Sequence, residues 1–317
     1  MTHLVTGGAG LIGSRIARDI IKEGEQVVVY DLFPEGSFLE RLLNEEEKSR
    51  VKIVQGDVTD LPHLIRTVKE NNAEVIFHMA ALLTDASSAN PPLAIKTNCE
   101  GTINVFETAR LLGLKKIVWA SSATVFGPPE KYPQEYIPNN APHYPWGVYG
   151  ACKSLNESVA AHYNEQYGTD ITGIRYTLVY GAGQTRGKSG AIIRELILNP
   201  AVGKPGRVPF GDASRGWLYV DDAARAAVLT SKATRTKTQV FNSMGDLHSV
   251  REIADYVKQT LPDADITLLP GNLGNSWKFE TMLIEKETDF HPQWSMERGV
   301  KEVINITRRQ HGLPPVQ

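Results

Sequence analysis

Eight residues near the start of the chain, Thr6-Gly7-Gly8-Ala9-Gly10-Leu11-Ile12-Gly13, limit its fold more than any other stretch. They follow a short apolar run, His3 to Thr6, and open a helical pattern, Leu11 to Lys22. Glycines three apart at 7, 10 and 13 answer three demands of a strand-to-helix turn: a tight bend, a backbone that phosphate can approach, and close helix–strand packing. Phosphate held there lies against the positive end of the helix and its unpaired N–H groups. Such spacing is cheap in a chain with 27 glycines, so its position gives it meaning.

The first 180 residues continue in the same manner. Apolar runs at Gln26 to Asp31, Val51 to Gly56, Glu74 to His78, Lys116 to Ser121 and Ile171 to Tyr176 alternate with helical patterns at Leu61 to Asn71, Pro92 to Leu112 and Val148 to Tyr167. Strand–helix–strand alternation predicts a parallel sheet with helices on both faces. VVVY, EVIF and KIVW are nearly continuous apolar runs, as strands covered on both faces should be. Beyond Tyr180 the pattern loosens. GAGQTRGKSG reads as a loop. Helices are expected at Ala191 to Leu198, from Asp221, at Val250 to Leu261 and at Ser295 to Arg309, with strands at Gln239 to Ser243 and Ile266 to Leu269. The expected fold is α/β, a doubly wound parallel sheet (Rossmann) with a smaller C-terminal α/β substrate lobe. Residues 1–175, with a return segment at about 212–245, would bind dinucleotide, and 176–211 with 246–317 would form the lobe.

Composition removes other classes. Lys and Arg total 34 against 36 Asp and Glu, and a net charge of −2 lacks the basic excess of a nucleic-acid binder. At 41% hydrophobic and 22% charged the chain is neither disordered nor membrane-spanning. No run approaches the roughly 18 to 20 apolar residues of a membrane helix. Two cysteines, Cys99 and Cys152, are too few for a secreted disulfide framework and lack zinc-site spacing, so no metal is expected. The N-terminal apolar run has no cationic region before it and is broken by glycines, unlike a signal peptide; the cytoplasm is the expected address. The run Glu45-Glu46-Glu47-Lys48 reads as a solvated helix end.

Asp31 ends the second strand. A carboxylate there accepts both hydrogen bonds of an adenosine ribose and repels a 2′-phosphate, which points to NAD rather than NADP. Tyr149 and Lys153, four apart on a predicted helix, stack on one face. An ammonium beside a phenol should pull its pKa down from about 10, as a general base for an alcohol requires. Ser122 follows the fifth strand at the carboxyl edge of the sheet, where open α/β folds bind ligands, and its hydroxyl could donate to a substrate oxygen. His78 reads as a packed strand-end histidine.

In order, TGGAGLIG, Asp31, GDV at Gly56 to Val58, HMAA at His78 to Ala81, Asn98, SSATVFG at Ser121 to Gly127 and YGACK at Tyr149 to Lys153 resemble the extended short-chain dehydrogenase/reductase family, in its NAD-dependent epimerase/dehydratase group. The resemblance covers nearly the whole chain. It implies that Ser122 and Tyr149 bind the substrate oxygen, with Tyr149 as acid/base, and that Lys153 holds the nicotinamide ribose and tunes Tyr149. It implies an NAD site of Gly7, Gly10, Leu11, Ile12, Gly13, Asp31, Asp57, Val58, Ala80, Asn98, Tyr149 and Lys153. In that site Asp57 and Val58 line the adenine pocket, and Asn98 is the structural Asn of NxxGT, here NCEGT. Substrate contacts would come from Ser122, Thr124, Arg186 and Arg215, the last able to hold an anion bidentately.

The family pattern is broken in two places. Dehydratases and decarboxylases of this group carry acidic residues directly after the catalytic Ser/Thr; Ala123 and Thr124 stand here and argue against both reactions. Nucleotide-sugar epimerases carry an Asn in RYFN, whereas Arg175-Tyr176-Thr177-Leu178 ends in a side chain that cannot hydrogen-bond. Trp217 and Tyr219 read as packing residues, and Arg186 with Lys188 as either solvated or an anion clamp. The expected activity is an NAD-dependent oxidoreductase transferring a hydride between NAD and a secondary alcohol of a sugar-like or hydroxy-acid substrate. The alternatives are a nucleotide-sugar 4-epimerase with tightly held NAD, acting on a substrate such as UDP-glucose, and a non-catalytic NAD-sensing protein. The resemblance also implies a homodimer through the helices around Pro92 to Leu112 and Val148 to Tyr167, the second carrying Leu155, Val159 and Tyr163 at fourfold spacing.

Overall fold

The apolar runs of the first half become strands β1 (Thr2–Thr6), β2 (Gln26–Asp31), β3 (Val51–Gln55), β4 (Ala73–His78), β5 (Lys116–Ser122) and β6 (Ile171–Tyr176). After them come β7 (Leu178–Tyr180), β8 (Gly206–Pro209), β9 (Ser214–Tyr219), β10 (Val240–Ser243), β11 (Asp246–Ser249) and β12 (Ile266–Leu269). The computed structural model describes residues 1–35, 38–184, 187–209, 211–271 and 277–316. Its main sheet runs β10-β6-β5-β4-β1-β2-β3, with every pairing parallel. The strand order reverses between β1 and β4, so the ligand crevice of a doubly wound sheet opens at their carboxyl ends.

Among the described residues, seven longer helices cover the sheets: α1 (Leu11–Lys22), α2 (Leu61–Glu70), α3 (Gly101–Leu112), α4 (Gly147–Tyr167), α5 (Val220–Lys232), α6 (Val250–Thr260) and α7 (Met296–Gln310). Helix α1 turns Ile16, Ala17, Ile20 and Ile21 inward at helical spacing. They meet Ala223, Ala224 and Ala227 of α5, whose small side chains let the two helices lie close over Val29 and Phe241 of the sheet. Helices α2, α3 and α4 cover the other face through Val68, Phe106 and Ala160 against Trp119 and Ile76. Such residues each contribute about 1.5–3 kcal/mol of burial, which makes the sheet a rigid platform.

The helix expected from Pro92 to Leu112 is broken. Pro91–Ala94 forms one turn, Ile95–Glu100 is a π-helix, and α3 begins only at Gly101. The cause is local: Asn98 points inward, accepting from the Leu82 N–H and donating to the Leu82 carbonyl, while Thr102 donates back to the Asn98 carbonyl. One wide turn accommodates that inserted side chain. The expected α4 stripe is also split. Leu155 is exposed, whereas Val159 and Tyr163 pack inward against the core.

In the second half, β11-β9-β7 and β8-β12 form two small sheets. Their shared core joins Tyr180, Trp217, Ile253, Val257, Val300 and Ile304. Strand β9, inside the segment expected to return to the main sheet, pairs with β7 and β11 instead; the return is made by α5 and β10. The Glu45–Lys48 run is one exposed helical turn with an Asn44–Glu47 capping box. Among the described residues no helix is long and apolar enough to cross a membrane, and no group of three or more metal-ligating side chains is gathered.

Candidate active site

The glycine turn forms because each glycine occupies a place a side chain would spoil. Gly7 has φ +67°, and a Cβ there would sit 2.6 Å from the Ala80 nitrogen. A Cβ on Gly13 would overlap the Gly7 carbonyl. Helix α1 starts at Gly10 with no side-chain cap, so the N–H groups of its first turn lack a local partner. Leu11 and Ile12 send their side chains into the core, leaving only backbone to face a ligand. Asp31 Oδ2 accepts from the Ala9 N–H and Oδ1 from the Phe33 N–H, both at 3.0 Å. These bonds fix the carboxylate beside the turn and leave each oxygen a further lone pair.

Farther along the same edge, Tyr30 donates to the Asp57 carbonyl at 2.9 Å, and the Asp57 carboxylate caps the Thr59 N–H. Val58 is buried against Gly101. Asn98 braces Leu82, just after Ala80, and holds the segment leaving β4. His78 is enclosed, with Nδ1 2.7 Å from the Thr6 hydroxyl and Nε2 2.9 Å from that of Thr102. Burial pushes its pKa down to about 3, so it is a neutral packing residue.

The second cluster joins β5 and α4. Thr124 donates to the Ser122 hydroxyl through both its N–H (3.2 Å) and its own hydroxyl (3.0 Å). Ser122 in turn is a hydrogen-bonding neighbour of the Tyr149 phenol. Lys153 is buried; its ammonium donates to the Ala120 carbonyl at 2.7 Å and lies 5.6 Å from the Tyr149 ring centroid. Burial pushes Lys153 down to about 8. The expected lowering of Tyr149 is not found: burial pushes the phenol up to about 12, with Ser122 the counteracting partner. The physical reason is that Lys153 spends its shortest bond on a carbonyl while desolvation acts on both groups.

Strand β9 carries Arg215, whose guanidinium donates to the Ser214 carbonyl and whose pKa burial lowers. Its neighbour Gly216 abuts Thr177 and Met244, and Tyr176 before Thr177 is paired with Ser122 in register. The structure thus brings Ser122, Thr124, Tyr149 and Lys153 together, while Arg215 is next to a glycine that lies against Thr177. Arg186 lies outside the described residues. Leu178 is half-buried and packs on the lobe's core, as do Trp217 and Tyr219.

One group escaped sequence reasoning. Glu157 is buried and takes the Arg175 guanidinium bidentately, at 2.9 and 2.6 Å. The same carboxylate accepts from the Ser121 hydroxyl at 2.5 Å, with His143 Nε2 3.3 Å away. Its signal was available: Glu157 lies four residues after Lys153 and eight after Tyr149, on the same helical face.

A family model described as the NAD dependent epimerase/dehydratase family matches residues 3–242. A UDP-glucose 4-epimerase of Mycolicibacterium smegmatis is 34% identical, over 98% of this chain and 99% of that protein. A UDP-N-acetyl-alpha-D-glucosaminuronate decarboxylase of Bacillus cytotoxicus is 29% identical, over 96% and 97%. Among solved structures, the Thermus thermophilus UDP-glucose 4-epimerase complex with NAD superposes with a TM-score of 0.84 at 25% identity, covering 97% of this chain and 99% of that one.

Proposed function

Because the chain belongs to the NAD-dependent epimerase/dehydratase family, we propose that it oxidises and re-reduces a secondary alcohol on a nucleotide sugar, acting as a 4-epimerase. Hydride exchange with NAD is the family's chemistry. The observation that carries the finer reading is the 34% identity, end to end, with an epimerase of UDP-glucose. Decarboxylation has less support despite the 29% relative, because Ala123 and Thr124 supply no carboxylate.

The residues fit the cofactor. Backbone at Gly7, Gly10, Leu11, Ile12 and Gly13 would take the pyrophosphate, and Asp31 the adenosine ribose. Asp57, Val58 and Ala80 would line the adenine side, Asn98 would hold that wall in place, and Lys153 would reach the nicotinamide ribose. Bound NAD supplies a hydride acceptor and, once reduced, a hydride donor. Ser122 donates a hydrogen bond to the substrate oxygen while Tyr149 exchanges its proton. A phenol pushed to about 12 is protonated at neutral pH, which suits returning a proton to a ketone. The oxidising direction needs the phenolate, which the hydrogen bond from Ser122 favours, so alcohol oxidation should accelerate as pH rises. Arg215 and Thr124 are assigned to the substrate, Arg215 toward its phosphates. Residues 1–175 with the segment at about 212–245 are assigned to cofactor binding, and the remainder to the substrate lobe.

A second reading, net dehydrogenation, keeps one specific support: Leu178 stands where an epimerase Asn would hold the nucleotide. We also assign the protein to the cytoplasm and to a homodimer. Leu93, Ile95 and Leu155 lie exposed on adjacent segments, consistent with a partner's helices covering them. The test is to denature purified protein and assay released nucleotide, then to offer UDP-sugars, free sugars and hydroxy acids. Interconversion of UDP-glucose and UDP-galactose without NADH accumulating supports the epimerase. NADH accumulating on a free alcohol replaces it with the dehydrogenase.

A further inference from the structure

The proposed acid/base pair stands on two separate elements. Ser122 ends β5, and Tyr149 sits in the first turn of α4. For a proton to pass between substrate and phenol while Ser122 holds the same oxygen, the two hydroxyls must keep a fixed separation. A backbone ladder cannot set it, because no ladder joins a strand to a helix.

Two side chains of α4 span the gap: Lys153 reaches the Ala120 carbonyl, and Glu157 ties to the residue beside Ser122. Glu157 leaves α4 two turns after Tyr149 and accepts at 2.5 Å from Ser121, the residue directly before Ser122. Its carboxylate cannot swing away. Arg175 of β6 grips both oxygens, and Arg175 is itself fixed by the Asn139 carbonyl at 2.7 Å and Asn242 Oδ1 at 3.0 Å, with its guanidinium 4.8 Å over the Phe126 ring. His143 closes the remaining side, with Nε2 3.3 Å from Glu157 and Nδ1 2.9 Å from the Ser154 hydroxyl. Burial alone would raise the Glu157 pKa, but the bonds from Arg175, His143 and Ser121 hold it down at about 2. The group is therefore an anion at every working pH, and its bond to Ser121 is charge-assisted.

Some structural braces in this fold end on backbone. Asn98 takes the N–H and carbonyl of Leu82, and Asp222 takes the N–H groups of Gln293 and Trp294. Glu157 instead reaches a side chain one residue from the site. We propose that Glu157 is a positioning residue: by tying Ser121 to α4 it sets the register between the Ser122 hydroxyl and the Tyr149 phenol. This rests on the acid/base assignment above and adds a residue to it.

The test compares Ser121→Ala, which removes only the tie, with Glu157→Gln, which removes the charge, using Tyr149→Phe to assign the phenol's resonance. Ser121→Ala leaves the Glu157–Arg175 pair whole, so it is the variant expected to fold without difficulty. Three quantities are read on the NAD-bound protein: turnover of UDP-glucose, the dissociation constant for NAD, and the ¹³Cζ shift of Tyr149 at fixed pH. Both variants should lose kcat on the order of tenfold to a hundredfold, the scale of a small misplacement of reacting groups. KM and NAD affinity should stay within about twofold, and the Tyr149 resonance should move in both. If the melting temperature falls while kcat and the resonance stay put, Glu157 is only a brace and the proposal is overturned. If wild-type protein turns over no UDP-sugar, the functional reading fails separately, and the Tyr149 resonance, which needs no substrate, still decides the positioning role: movement in Ser121→Ala supports it and no movement overturns it.

Discussion

The two halves of the proposed site are built on different physics. Along β1, β2 and β4 the candidate NAD site is mostly backbone: uncapped N–H groups of α1, a glycine at φ +67°, and a carboxylate pinned by two main-chain donors. The groups proposed for the substrate are side chains drawn from distant parts of the chain: Ser122 and Thr124 at the end of β5, Tyr149 on α4 and Arg215 on β9. Backbone recognition needs glycines at fixed spacing and leaves a readable string. Side-chain recognition assembled from separate segments leaves none. One fold can therefore keep its cofactor and change its substrate by altering only the second set.

The largest expected effect breaks the halves apart. Tyr149→Phe should lower turnover by roughly 10²- to 10⁴-fold, the span of general acid–base contributions, while NAD binding measured by fluorescence titration stays intact. A variant that kept full activity would remove the phenol from the mechanism. Gly13→Ala should do the reverse. Its Cβ would overlap the Gly7 carbonyl, so the turn must shift, costing about 1–3 kcal/mol and most of the NAD affinity. Unaltered NAD binding in that variant would mean that the turn does not cradle the pyrophosphate.

Arg215→Ala addresses the other side and should be milder. Losing a hydrogen bond to a charged group costs about 1.5–3 kcal/mol, so KM for a UDP-sugar should rise roughly tenfold to a hundredfold with NAD affinity unchanged. A free sugar lacking phosphate should show no such rise. Equal loss for both substrates would place Arg215 in the lobe's packing rather than against an anion.

What the sequence disclosed follows the same division. Strands β2 and β6 and helix α1 were readable to the residue, because buried parallel strands are continuous apolar runs and α1 opens at its glycine turn. Strands β8, β9 and β11 were missed. Each is four to six residues long, and β9 reads SRGWLY, whose three apolar residues follow a polar start broken by a glycine. The π-turn at Asn98 was missed because a side chain bonding Leu82, sixteen residues away, leaves no local pattern. The pKa of Tyr149 was expected to fall from spacing to Lys153 alone; spacing cannot register that Lys153 is engaged with Ala120 and that both groups are desolvated. Glu157 had the right spacing, yet its partner Arg175 sits on another strand.

The smallest predicted effect asks whether the cofactor half is also the acid-sensitive half. His78 ends β4 beside the glycine turn, held between the hydroxyls of Thr6 and Thr102, and burial lowers its pKa to about 3. In the unfolded chain a histidine titrates near 6.5. Between those values the unfolded state carries a proton that the folded state refuses, so stability is full above about 6.5 and falls as pH drops through the window. The buried His3 on β1 shifts in the same direction and adds to it. From pH 7 to pH 5 the His78 contribution amounts to about 2 kcal/mol, readable as a lower urea midpoint. His78→Asn should be less stable at pH 7 but lose less on acidification than wild type. An identical slope in the variant would assign the acid sensitivity to groups other than the histidine at the end of β4.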